Sequence, residues 1–380
     1  MLPSHDSIAR RFFRDADVLV TGGFGFIGSH LAARLVDLDA NVTLIDLDTS
    51  PERPSLINIR PGLRASVRPV RVNLADPLDV VRDVVRSRPF KAVFSLASFA
   101  SVVERAVAFP YETAQTNTVG LLNLLESIRT DQHRPFSIVH TSTDKVYGDS
   151  DGEPYDEEKS RLLATGVYDV SKLAADVFAR MYHRVYGLST VVLRLCNIFG
   201  PHDFNTNYRV VPRAMKSLLA GDSPEAPELY AESAHHERDY LYIDDCVRAL
   251  IGLAATPRCW GKVYNLKGCA HLKTPLMIQA AMEAAAEVER RSDPARAAEI
   301  DGLQIRVVAQ PSPGVVTIPA QRASGRRLTD DLGFEPSVSL ADGLIRTAEG
   351  YHDYFSGHRA RRPVKAAAGS PLINPGVLTA

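Results

Sequence analysis

The chain has 380 residues, with 44 Lys+Arg against 45 Asp+Glu, a formal net charge of −1, and 45% apolar side chains. That composition supplies a large core and excludes a disordered chain, the basic surface of a duplex binder and a polybasic membrane patch. No apolar run reaches the ~18–20 residues of a membrane helix, and the charged opening Met1–Asp17 has no signal-peptide core. Cys196, Cys246, Cys259 and Cys269 show neither CxxC nor paired-His spacing, which predicts no disulfide framework or zinc site and points to a reducing, cytoplasmic setting.

Up to residue 200 one rhythm repeats. Short, nearly continuous apolar runs at 18–20, 42–45, 67–72, 92–94, 137–139 and 190–195 read as strands buried on both faces of a parallel sheet. Between them, helical spacing is predicted over 26–38, 77–87, 111–129 and 168–186. This alternation predicts an α/β fold, a doubly wound Rossmann sheet with its ligand at the carboxyl ends of the strands. After Gly200 the texture changes: a helix is expected at 210–219, strand-like runs at 240–243 and 263–266, and helices at 245–254 and 277–291. The expected organisation is an N-terminal extension (1–16), a Rossmann domain (17–200 and 236–269) and a smaller discontinuous lobe (201–235 and 270–350) that binds substrate. From Gly357, Arg359, Arg361, Arg362 and Lys365 lie among Ala, Gly and Pro, and 357–380 is expected to be a disordered, solvated tail.

The first strand runs into Thr21-Gly-Gly-Phe-Gly-Phe-Ile-Gly28 and then a helix. Gly22, Gly25 and Gly28, with Phe26 and Ile27 between them, allow a sharp turn, close approach to a pyrophosphate and tight helix packing. Asp46, ending the second strand, would accept hydrogen bonds from the adenosine ribose and repel a 2′-phosphate, which predicts NAD rather than NADP. Asn73 and Leu74 after the third strand, and Leu96, Ala97 and Ser98 after the fourth, are expected along the cofactor. The fifth strand ends in His140-Thr-Ser-Thr-Asp-Lys-Val-Tyr-Gly148, followed by Tyr168-Asp-Val-Ser-Lys172. Tyr168 and Lys172 share a helix face, and an ammonium beside a phenol is expected to lower its pKa, making a base for a sugar hydroxyl. Thr143 would share that proton or hold the hydroxyl.

These motifs resemble the extended short-chain dehydrogenase/reductases of the NAD-dependent nucleotide-sugar epimerase/dehydratase group. The resemblance covers about residues 15–350 and includes Asn117-Thr-Val-Gly120, Arg194–Gly200 and His236–Asp245. It implies tightly held NAD, an NDP-sugar substrate, no metal, and a homodimer built through the helices near 111–130 and 168–187. It also implies Thr143, Tyr168 and Lys172 as catalytic residues, with Tyr168 and Lys172 also at the cofactor (Lys172 on the nicotinamide ribose), Asn117 near the cofactor, and Asn197, Arg209 and Arg238 toward the sugar nucleotide.

Asp144-Lys145 bears on the reaction. A 4-epimerase needs only hydride removal and return at C4, whereas a 4,6-dehydratase also needs an acid for the C6 hydroxyl and a base for the C5 proton. The 4,6-dehydratases acting on dTDP-sugars have Asp-Glu here, whereas Asp-Lys is similar to the CDP-glucose and UDP-N-acetylglucosamine enzymes; Gly200-Pro-His-Asp-Phe204 is also similar to the CDP-glucose type, while His236–Asp245 is closer to the epimerase form. The expectation is a dehydratase with Asp144 as acid and Lys145 as base or its electrostatic helper; the alternatives are a 4-epimerase and a loop-steadying ion pair between the two. A non-catalytic dinucleotide-binding module would be expected to have lost Tyr168 or Lys172, and both are present. Adjacent His235 and His236 face opposite sides of a strand and chelate poorly, so polarity is their expected role. The acidic run Asp149–Glu158 is expected to be a solvated flap.

Overall fold

The computed structural model describes residues 5–99, 103–149, 152–309 and 318–360. Thirteen strands are defined among them: β1 Asp17–Thr21, β2 Asn41–Asp46, β3 Val67–Arg71, β4 Ala92–Ser95, β5 Ser137–Thr143, β6 Thr190–Leu195, β7 Asn197–Phe199, β8 Glu228–Tyr230, β9 Glu237–Tyr242, β10 Val263–Leu266, β11 Ala270–Lys273, β12 Arg306–Val308 and β13 Ala320–Gln321.

Seven strands form one parallel sheet in the order β10-β6-β5-β4-β1-β2-β3. Strand order reverses at β1, between β2 and β4, and opens the crevice in which doubly wound folds place a ligand. Alternate residues of each central strand feed opposite faces. Val18 and Val20 join Phe94, Val139, Val191 and Leu193 in one core cluster, while Leu19 joins Val93, Ile138 and Val192 in the other. Burial on both sides explains the continuous apolar runs. β3 carries Pro69 and two arginines and stands at the sheet's edge, where a missing N–H is tolerated.

The helices Phe26–Asp37, Leu78–Arg86, Val167–Tyr186 and Val210–Leu219 follow the predicted spacing closely. The helix expected over 111–129 is instead interrupted: Pro110–Ala114 and Gly120–Arg129 flank a π-helical turn, Gln115–Val119, which holds buried Asn117. A widened turn of this kind is common where a side chain must be aimed inward. Residues 237–242, expected in the Rossmann portion, pair as β9 with β7, β11 and β13 in a second sheet, and Ile243 begins the helix Ile243–Ala254. β8 and β12 form a separate two-stranded ribbon.

The N-terminal stretch folds back on the sheet through the helix His5–Phe13, whose Phe13 is buried against Phe94. At the other end, helix Leu340–Ala360 continues through Gly357, so the start of the expected tail is helical; Arg361, Arg362 and Lys365 lie outside the described residues. No helix among the described residues is long and apolar enough to cross a membrane. All four cysteines are free thiols.

A buried ion pair ties helix Val167–Tyr186 to β6. Arg194 Nε donates to Asp176 at 2.8 Å, both side chains are at most 2% exposed, and Arg194 Nη1 donates to the Tyr147 hydroxyl at 2.5 Å. Asp176→Ala would leave that guanidinium buried without its carboxylate, a loss of about 3–5 kcal/mol. Urea unfolding followed by circular dichroism is expected to show a lowered midpoint with an unchanged slope.

Candidate active site

The glycine turn sits at the switch point. Gly22 has φ +69°, and a Cβ there would come within 2.9 Å of the Ala97 backbone; a Cβ on Gly28 would collide with the Gly22 carbonyl oxygen. Thr21 Oγ1 accepts from the Leu96 and Ala97 amides at 3.1 and 3.2 Å, so the ends of β1 and β4 lock together. Gly25 precedes helix Phe26–Asp37 with no side-chain cap, which leaves backbone N–H groups at that terminus to meet an anion. Asp46 Oδ2 accepts from the Phe24 amide at 3.0 Å, while its Oδ1 accepts from Arg53 Nη1 at 2.6 Å, a partner that the sequence reading did not include. The close glycine turn, the N–H terminus and the carboxylate beside it fit an adenine dinucleotide.

Three expected cofactor residues are occupied structurally. Asn73 Oδ1 accepts from the Ala75 amide at 3.0 Å, closing a turn after β3. Leu74 is buried against Gly120. Asn117 Oδ1 accepts from Ser98 Oγ and the Phe99 amide, and its Nδ2 donates to Ser171 Oγ, each at 3.0 Å. It therefore joins the loop after β4 to the helix bearing Tyr168 and Lys172.

A cleft at the carboxyl ends of β4, β5 and β6 is lined by Thr143, Asp144, Lys145, Tyr168, Lys172, Asn197, Arg209 and Arg238, with Ile27, Leu96 and Ser98 on the glycine-turn side. Residues far apart in sequence thus converge. Gly22, Gly25, Phe26 and Gly28 lie in the turn beyond it.

Helix spacing puts Tyr168 and Lys172 on one face, but the expected lowering of the tyrosine pKa is overturned. Burial drives the phenol upward, Arg209 is the cation that opposes this, and Asp169 and Asp144 push it further up. Lys172 points elsewhere: its Nζ donates to the Thr141 carbonyl at 2.5 Å, and burial lowers its pKa to about 8. Arg209, just before helix Val210–Leu219, lines the cleft and is paired with buried Asp203 at 2.8 Å.

Asp144 is 4% exposed, and burial raises its carboxyl to about 7, with Lys145 and Arg238 drawing it down and Asp239 pushing it up. Its Oδ1 accepts from Thr143 Oγ1 at 3.2 Å and from Gln321 Nε2 at 3.0 Å. Its Oδ2 is buried with no hydrogen-bond partner among the described residues. Asp144 and Lys145 are not paired with each other among the described residues. Burial lowers the Lys145 ammonium, with Asp169 the main group holding it up. Asp169 is itself buried, with Oδ1 unpartnered, and burial raises its carboxyl.

Sequence reading missed Gln321 and Asp169. Asp169 was in plain sight within the Tyr-Asp-Val-Ser-Lys run; Gln321 had no local signal, because only the pairing of β13 with β9 brings it here. Asn197 Nδ2 donates to the Asp239 carbonyl at 3.3 Å, and Arg238 Nη1 to the Glu237 and Pro319 carbonyls at 2.8 and 3.0 Å. His236 also lines the cleft, its imidazole lowered to about 4 by burial and by Arg238 and Lys145. Among the described residues no group of three or more His, Cys, Asp or Glu could hold a metal ion. The acidic run after Gly148 keeps Asp149, Glu153 and Glu158 exposed, and it is also anchored: Tyr155 stacks on Tyr147 at 4.6 Å, and Glu157 accepts from the Asn265 amide at 2.7 Å.

A parallel sheet whose switch point opens onto a Thr/Tyr/Lys cleft is the architecture of the extended short-chain dehydrogenase/reductases. The chain belongs to the NAD dependent epimerase/dehydratase family, whose model matches residues 18–266. It is 30% identical over 349 residues to a dTDP-glucose 4,6-dehydratase of Neisseria meningitidis, covering 88% of this chain and 93% of that protein. It is 31% identical over 347 residues to the enzyme of the same name from Neisseria gonorrhoeae, covering 89% and 96%. Among solved structures, a dTDP-glucose 4,6-dehydratase from Streptomyces venezuelae with NAD bound superposes with a TM-score of 0.72 at 27% identity, covering 89% of this chain and 97% of that one. An epimerase from Methanothermobacter thermautotrophicus shares the fold with a TM-score of 0.78 at 23% identity, over 94% and 98%. The two Neisseria relatives and the Streptomyces enzyme carry the dTDP-glucose name, whereas the Asp144-Lys145 pair is similar to the CDP-glucose type.

Proposed function

We propose that this enzyme is an NAD-dependent NDP-sugar 4,6-dehydratase, and the observation that carries the reading is Asp144. A 4-epimerase has no use for a buried carboxyl in the cleft with one oxygen uncommitted and its pKa raised by burial to about 7, whereas loss of the C6 hydroxyl requires an acid. The names of the relatives support the same reaction.

When bound, NAD supplies an acceptor that takes a hydride from the sugar and gives it back. The chain does the rest. Thr143 holds the C4 hydroxyl and Tyr168 takes its proton; Lys172 and Asn117 keep the Tyr168 helix and the loop after β4 in register. With C4 a ketone the C5 proton becomes acidic, and Lys145, whose ammonium is weakened by burial, takes it as Asp144 protonates the departing C6 hydroxyl. Asn197, Arg209 and Arg238 bring hydrogen-bond donors and positive charge to the cleft wall where the sugar diphosphate would lie.

The reading is tested by incubation with dTDP-, CDP-, UDP- and GDP-glucose and mass analysis. One of them is expected to yield a product one water lighter; a product of unchanged mass would favour the epimerase.

We also propose a homodimer through helices Val103–Ala108, Pro110–Ala114 and Val167–Tyr186, where Val107, Phe109, Tyr111, Val170 and Val177 are exposed. Sedimentation velocity is expected to show twice the mass of the chain, and Tyr111→Glu with Val177→Glu to shift it toward monomer. Four free thiols support a reducing, cytoplasmic setting.

A further inference from the structure

Asp144 is held from a strand that begins far along the chain. Gln321 is fully buried, and its Nε2 and Thr143 Oγ1 both donate to the same oxygen, Asp144 Oδ1. The strand bearing it is fixed from two sides. Ala320 and Gln321 pair with Glu237 and Arg238 of β9, and Asp239 Oδ2 accepts from the Ala323 amide at 2.8 Å. Tyr155 donates its amide to the Arg322 carbonyl at 2.7 Å, accepts from the Ser324 amide at 2.9 Å, and donates its hydroxyl to the Gly148 carbonyl at 2.5 Å. The strand and the turn carrying Asp144 are thus braced against each other through Tyr155.

An oxygen that already accepts two hydrogen bonds is a poor place for the acid's own proton, whereas Oδ2 has no partner among the described residues. We propose that Gln321 is a positioning residue for the elimination step: by committing Asp144 Oδ1 as an acceptor, it puts the transferable proton on Oδ2 and offers that oxygen to the cleft. This rests on the dehydratase reading. In the step it serves, the C5–H electron pair becomes the C5–C6 π bond and the proton goes to Lys145. The C6–O pair leaves with oxygen, which receives the Oδ2 proton and departs as water. No oxidant or reductant is consumed.

Asp144 is faced by Lys145 on its own turn, by Arg238 and Asp239 on β9, by Tyr155, by Tyr168 on the neighbouring helix and by Cys196 after β6. Of the two neutral donors to Asp144 Oδ1, Thr143 and Gln321, Gln321 can be removed without touching the Thr/Tyr/Lys set or changing the charge of the site. Losing it withdraws a hydrogen bond from the carboxylate form, so the acid's pKa should rise.

The test compares wild type, Gln321→Met, which keeps length and loses the donor, and Gln321→Glu. The substrate is dTDP-glucose, or whichever of CDP-, UDP- and GDP-glucose the wild type turns over. Gln321→Met is expected to lower kcat about tenfold with KM little changed, and to move the basic limb of the pH profile up by about one unit. Reduced cofactor should build up at steady state, because C4 oxidation continues while elimination lags. Gln321→Glu should lose activity at neutral pH and regain part of it at acid pH, where its carboxyl can donate. Unchanged kcat and limb would overturn the proposal. So would a loss of kcat accompanied only by a lower melting midpoint, with the limb and the reduced-cofactor signal unmoved. A wild type that releases no water from any of the four sugars would refute the dehydratase reading itself, before any variant is compared.

Discussion

Tyr168→Phe is expected to lower kcat by at least about 10²-fold, the usual scale for a positioned acid–base group. The substitution removes one oxygen from a cleft already lined by Thr143, Lys172 and Arg209, so substrate binding should change little and the loss should fall on kcat. The phenol is driven upward by burial and opposed mainly by Arg209, so the charge that readies it has to come from the assembled site rather than from Lys172 alone. Lys172 is directed to the Thr141 carbonyl, and its pKa of about 8 puts loss of its charge just above neutrality. Activity that depends on a charged Lys172 should therefore fall as pH rises through that value. Steady-state kinetics of Tyr168→Phe and Tyr168→Ala check the assignment; a near-normal rate in the first would remove Tyr168 from the mechanism.

Asp144→Asn is expected to be as damaging, by at least about 10²-fold, and in a different way. Oxidation at C4 does not use the Asp144 proton, so mixing the variant with substrate should convert bound NAD to its reduced form and stop there. Lys145→Met should stall at the same stage, since the C5 proton would have no acceptor. The wild-type pH profile supplies the companion measurement. The carboxyl is raised to about 7 and acts in its protonated form, so turnover should decline as pH rises through that region, while Lys145, acting as the free amine, sets the acid limb. The basic limb should be absent from the residual activity of Asp144→Asn. Rapid-scan absorbance of the reduced cofactor, taken with product analysis, separates these outcomes. Full turnover by both variants would remove the pair from the mechanism.

The parallel sheet was legible because its strands are buried on both faces and leave unbroken apolar runs, and because Gly22–Gly28 must follow the first of them. The Tyr168–Lys172 pair was legible because a helix repeats its face every three or four residues. What failed were inferences about environment. Spacing shows that Lys172 can reach the phenol's face, but not that the Thr141 carbonyl takes its ammonium or that Arg209, just before helix Val210–Leu219, reaches the same cleft. Asn117 sits in a π-helical turn, which period counting does not detect, and its amide bonds Ser98 and Ser171. Arg53 was not read beside Asp46, since loop geometry alone brings them together. Gln321 lay furthest from view: it reaches Asp144 only through the second sheet, whose strands have few residues and no distinctive pattern.

The most direct measurement is the fate of a deuterium placed at C4 of the sugar in the nucleotide-sugar that the enzyme turns over. The account predicts a product one water lighter that retains the label on C6, because the hydride taken from C4 is returned within the same active site. A product of unchanged mass with the label still on C4, or a label lost to solvent or to added cofactor, would contradict it.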